Sequence, residues 1–291
     1  MKIIKTRPKI GLILPAYVRP GEEAQAVVVL DAKKDVDIDF VDIVLTGVEA
    51  GVMSDSGSQR ATGIMSLKAR LLGKGTLTAG RTQLPTRFAV PPTAPPSYND
   101  RGCQRHVYAR VAYTAAVHVK IAWWDDAKER FVVNVMPPGI ELDDPGPSIH
   151  STNPAGPQGK DPHLEFSLSS SIVVPGQSIQ GELALGNVAF NRYKVANVTL
   201  VAHEQVMLAF GQISESPAMR YRVQVDMSQA GEGVAVPFGM KLPPYMPPSW
   251  RGHLWALRYM MEVEVGVGWG SDLKALVPVR VVRRGSTARA R

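Results

Sequence analysis

The chain has 291 residues, with 33 lysines and arginines against 26 aspartates and glutamates, for a formal charge of +7. Its composition, 45% hydrophobic and 20% charged, excludes wholesale disorder. The single cysteine, Cys103, excludes an internal disulfide framework, and no apolar run approaches the ~20 residues of a membrane-spanning helix.

In chain order, Lys2, Lys5, Arg7 and Lys9 precede a short apolar stretch that is broken by Pro15. That stretch is short for a secretory leader, and the residues after it resume a strand pattern. With the lone thiol, it sets the expected location as cytoplasmic. Residues 27–30 and 40–45 are short runs rich in branched side chains, and residues 66–72 alternate Leu67, Ala69 and Leu71; all three are predicted strands. Residues 56–99 carry Arg60, Lys68, Arg70, Lys74, Arg81 and Arg87 with no acid. Residues 116–123 place Val117, Val119, Ile121 and Trp123 on one face and His118 and Lys120 on the other, the period of a half-buried strand. His118 then reads as a solvated histidine, and Asp125-Asp126 as the acids of a hairpin loop. Residues 137–163 hold seven prolines, which cannot donate to a ladder, and are predicted to be an extended connector. Strand patterns resume at 179–185, 195–202, 262–269 and 277–282, and the last nineteen residues carry six cations and no acid.

The chain repeats itself. Pro91-Pro92-Thr93-Ala94-Pro95-Pro96-Ser97-Tyr98 recurs as Pro243-Pro244-Tyr245-Met246-Pro247-Pro248-Ser249-Trp250. Each copy follows a phenylalanine, Phe88 or Phe238, and precedes a tyrosine-led strand, Tyr113 or Tyr259. Upstream, Pro20-Gly21 matches Pro175-Gly176, and Ile43, Leu45 and Glu49 match Val198, Leu200 and Glu204. Ordered matches of this kind imply a tandem duplication. The expected fold is all-β: two tandem immunoglobulin-like β-sandwiches at residues 1–136 and 164–282, joined by the connector 137–163 and followed by a basic tail at 283–291.

These residues resemble the arrestin family. Pro85-Thr86-Arg87-Phe88 with Pro95-Pro96-Ser97-Tyr98, and Phe238-Gly239-Met240-Lys241-Leu242-Pro243 with Pro247-Pro248-Ser249-Trp250, are similar to the arrestin-domain (α-arrestin) and bacterial sporulation-control branches. The resemblance implies arrestin-type sandwiches and a non-catalytic adaptor or scaffold. It also implies a protein partner on sheet faces, end loops or an edge strand, in bacterial stress or sporulation control. The motif residues themselves read as structural: the phenylalanine ends a strand, and the prolines carry the chain over the rim without ladder partners.

No assembled catalytic set is legible. His203-Glu204-Gln205-Val206-Met207 lacks the second histidine of a zincin helix, and Gly73-Lys74-Gly75-Thr76 lacks the leading glycine of a phosphate loop. No catalytic, cofactor-binding or metal-ligating residues are expected, and Cys103 reads as an idle loop thiol. The alternative function is a peripheral binder of anionic membrane or another phosphate-rich surface. Its anion-contact candidates are Arg280, Arg283, Arg284, Arg289 and Arg291. No aromatic residue interleaves with the tail cations, which argues against a nucleic-acid stacking platform.

Overall fold

A computed structural model describes residues 7–54, 59–99, 106–137, 146–153, 161–189, 193–231, 234–266 and 272–282. The described chain is almost entirely strand, with one 3-10 turn at Ala209–Gly211, so the class is all-β as the alternating runs predict. No helix among the described residues is long and apolar enough to cross a membrane. The chain divides into two compact units. The first comprises Met1–Pro138 with two segments from later in the chain, Val206–Gln212 and Gly252–Leu254; the second holds the remainder.

In the first unit, β1 (Lys9–Ile13), β2 (Glu23–Ala32) and β6 (Gly80–Ala89) form an antiparallel sheet in the order β1-β2-β6. A larger sheet runs β4-β3-β8-β7, from β3 (Val36–Met53), β4 (Gln59–Leu72), β7 (Tyr98–Asn99) and β8 (Val107–Ile121). The short β5 (Gly75–Leu77) pairs with β3, and β9 (Ala127–Val133) pairs with β8. Strict alternation decides which face is buried. Val28 and Leu30 on β2, Val41 and Ile43 on β3, and Val117 and Val119 on β8 are buried, and each such side chain stabilises the core by about 1.5–3 kcal/mol. The inner-face alternation predicted for residues 116–123 fails at its last position. Strand β8 ends at Ile121, and Trp123 is 96% exposed in the β8–β9 turn instead of continuing the inner face.

The first unit also encloses a buried carboxylate. Glu49, fully buried on β3, accepts the backbone N–H groups of His253 (3.1 Å) and Leu254 (2.6 Å). A Cβ at Gly252 would lie 2.5 Å from its Oε1, so this segment closes round the carboxylate only with glycine at that position.

The second unit has an antiparallel sheet β10-β11-β13-β16, from β10 (Ser148–Ser151), β11 (His163–Leu168), β13 (Ser178–Gly186) and β16 (Val236–Lys241). Strand β10 falls inside the proline-rich stretch read as connector, and it pairs with β11. The other sheet runs β12-β19-β18-β14-β15, from β12 (Ile172–Val173), β14 (Val195–Met207), β15 (Ile213–Asp226), β18 (Trp255–Val265) and β19 (Leu273–Val281). The short β17 (Trp250–Arg251) pairs with β18.

The sequence repeat has a geometric counterpart in each unit. The Tyr113 hydroxyl donates to the Pro95 carbonyl at 2.6 Å, and the Tyr259 hydroxyl to the Pro247 carbonyl at 2.7 Å. The Val135 N–H donates to the Ser97 hydroxyl and the Val281 N–H to the Ser249 hydroxyl, both at 2.9 Å. The Ser97 and Ser249 N–H groups return to the carbonyls of Val135 and Val281. Burial drives both tyrosine pKa values well above the ordinary phenol range, so each stays a donor. The proline segments need these side chains because proline supplies no N–H, while its buried carbonyl still needs a partner. Gly21 and Gly176 both take positive φ, +82° and +83°, with Pro92 and Pro244 packed against them.

Candidate functional site

The solvent face of the larger sheet in the first unit carries a charged row. Cross-strand register aligns Arg70 on β4, Asp42 on β3, His118 on β8 and Lys128 on β9. Side chains directly opposite on neighbouring strands lie close enough to interact, so register alone assembles the row. Asp42 receives hydrogen bonds from Arg70 Nε at 2.8 Å and Nη2 at 3.1 Å, and Lys68 Nζ stands 3.0 Å away. The Arg70 guanidinium also lies 4.3 Å from the centre of the Phe40 ring, which meets His118 edge-on at 5.3 Å. These neighbours roof Asp42 so completely that it is 2% exposed on a face that otherwise meets water.

At the other end of the row, Asp126 shares a 2.7 Å hydrogen bond with His118 Nε2. Lys120 approaches its second oxygen at 3.2 Å, and Lys128 stands at 3.9 Å. Four cations therefore share two carboxylates, and the face is left with surplus positive charge. The Arg70 hydrogen bonds hold the Asp42 carboxyl below its usual range against the opposing effect of burial, with Lys68 assisting. For Asp126, burial pushes the pKa up, but the His118 hydrogen bond and the adjacent Lys120 ammonium outweigh it and the net shift is down. Both groups stay ionised at neutral pH and act as fixed anchors that orient the cations.

A depressed carboxylate pKa contributes stability above the unfolded value, about 3.9, and that contribution disappears as pH falls through the folded value. Replacing Arg70 by methionine removes the principal cause of the Asp42 shift. The thermal midpoint of R70M should fall furthest below wild type near neutral pH, and the gap should narrow below about pH 4. A gap as wide in acid as at neutrality would show that Arg70 stabilises by packing alone.

In the second unit the matching positions lose this pattern. By the repeat, Asp42 aligns with Asn197 and His118 with Glu264. Glu264 is bound to Lys274 at 2.7 Å, and His203 sits between Glu215 (3.8 Å) and Glu262 (3.7 Å). That sheet face is richer in acids. The second unit also has an open depression of about 600 Å³ over β11, β13 and β16, lined by Ser167, Gln180, Glu182 and Gly239 among others.

Of the anion-contact candidates read from the sequence, Arg280 lies on β19 with an exposed side chain, and its N–H donates to the Ser171 carbonyl. Arg283, Arg284, Arg289 and Arg291 lie outside the described residues, as does Cys103. The acid-free run at 56–99 is acid-free only in sequence. Lys68 and Arg70 meet Asp42, Arg87 meets Glu23 at 3.2 Å, and Arg60 bonds the Leu208 carbonyl at 3.2 Å. The sequence reading missed the row itself. Its only linear trace is the eight-residue spacing of His118 and Asp126 across a predicted hairpin. No protein-family profile and no curated protein sequence matches the chain.

Proposed function

We propose that the protein is a non-catalytic, arrestin-like adaptor of the cytosol that binds an acidic segment of a protein partner on the β4 side of its first unit. One observation carries this reading. The bonds that close the proline segments recur in both units, whereas among the described residues the Arg70–Asp42–His118–Lys128 row occurs in the first unit and not at the matching positions of the second. What the duplication retains in both copies serves the fold; what one copy has acquired is the candidate for function. Strand β4 lies at the edge of its sheet and is exposed or half-exposed along its length. An incoming extended segment can pair with that edge through main-chain bonds while its acidic side chains reach Lys68 and Arg70. Charge complementarity of this kind mainly governs partner choice and the rate of encounter.

The test is affinity capture from native lysate with the wild-type chain and with a Lys68→Gln, Lys128→Gln variant, which removes both charges without setting an acid against Asp42 or Asp126. Both lysines are well exposed, so the variant should fold. Wild type should recover a stoichiometric partner, and the variant should lose most of it. Recovery of chaperones alone, or equal recovery by both chains, would overturn the proposal.

A further inference from the structure

The register gathers one set of turns at a single end of the first unit. Ala32 at the end of β2 faces Gly80 at the start of β6, Val36 at the start of β3 faces Leu77, and Ile38 faces Ile121 at the end of β8. The β2–β3, β4–β5, β5–β6 and β8–β9 turns therefore share that end. Hydrogen bonds link them: the Ala79 N–H donates to Asp35 and the Ala122 N–H to the Asp37 carbonyl, while Arg7 pairs with Asp125 at 2.6 Å.

From this end projects Trp123, 96% exposed and at φ +58°. A left-handed backbone is costly for a bulky residue, and an exposed indole recovers none of that cost through packing. Such an outlier points to a use outside the fold. Trp124 beside it is 46% exposed. Around the tip stand Lys33 and Lys34 on the β2–β3 turn, Lys74 on the β4–β5 turn and Arg81 at the start of β6, all exposed. The acids at this end keep their charge: Asp31 stands across from Lys9 and Arg81, Asp35 accepts from the Ala79 N–H, Asp37 accepts from the Thr76 hydroxyl, and Asp39 follows on β3, while Asp125 is paired with Arg7; Lys33, Lys34 and Lys74 project from the turns beyond them.

We infer that this end is a docking site for an anionic lipid bilayer, with the Trp123 indole seated at the headgroup level and the four cations against acidic lipid. Indole rings favour the membrane–water interface, where one edge is apolar and the other wet. Lysine and arginine near an acidic leaflet add attraction that salt screens. A rigid hairpin bearing the indole loses little conformational freedom when it docks. Phe210 shares both odd features, full exposure and φ +57°, but it lies toward the other end of β3, where Met207 packs on Gly51. It serves as the internal control.

Co-sedimentation of the full chain with phosphatidylcholine vesicles, with and without phosphatidylserine, tests the site. Wild type should bind only the phosphatidylserine vesicles, and less as salt rises. Trp123→Ser should bind about tenfold more weakly. Lys33→Glu with Lys34→Glu should lose at least about tenfold and most of the salt dependence. Phe210→Ser should bind as wild type does. Failure of wild type to bind, equal binding to neutral vesicles, or equal loss in Trp123→Ser and Phe210→Ser would each overturn the inference. The partner-capture variant changes neither Trp123 nor the four tip cations, so the two readings fail separately.

Discussion

Replacing Glu49 by leucine should lower the stability of the first unit by about 2–5 kcal/mol, because the buried Leu254 N–H and the part-buried His253 N–H lose their acceptor at once. Glu49 is completely buried, and its oxygens take the His253 and Leu254 N–H groups. Leucine is close to the right volume, so the loss would come from the orphaned donors and not from a cavity. Glu49→Gln separates the contributions. Its amide keeps one acceptor oxygen, so it should lose less than Glu49→Leu in a urea unfolding series. Gly252→Ala should mimic part of the defect, since its Cβ would press on the carboxylate at 2.5 Å. If Glu49→Leu unfolds at the wild-type urea concentration, the carboxylate does not hold the Gly252–Leu254 segment.

Phe238→Ala should cost the second unit about 3–5 kcal/mol, the usual range for truncating a buried phenylalanine. The Phe238 ring is 7% exposed and stacks on Phe166 at 6.0 Å with 19° between planes. It also occupies the space a side chain at Gly181 would need. A Cβ there would lie 2.7 Å from the ring and would run into the Ser167 carbonyl. Gly181→Ala alone should therefore destabilise the unit. In the double variant the ring clash disappears while the carbonyl clash persists, so the two losses should sum to more than the double variant shows. Strict additivity in thermal unfolding would mean that the ring and the glycine are not coupled.

The separation between legible and hidden features follows from what each depends on. Period-two runs such as 66–72 and 179–185 are local, and they fall in β4 and β13. The duplicated proline segments were legible because residue identity recurs in order, and the Tyr113 and Tyr259 bonds supply the physical reason for pairing a tyrosine with each segment. Trp123 escaped the pattern because alternation cannot say where a strand stops. The turn that releases it is set by the β8–β9 pairing. His118 and Asp126 were read separately as a solvated histidine and a loop acid, and they are one hydrogen-bonded pair.

By itself, then, the amino-acid order determined the β class, the repeat and most strand positions, because each rests on side-chain periodicity or on recurrence within a short window. Only the tertiary structure decided which charges meet. Asp42 finds Arg70 across a register shift between β3 and β4, and Glu49 finds backbone more than two hundred residues away. Electrostatic partnership depends on distances in space, which a linear count of lysines and aspartates does not contain.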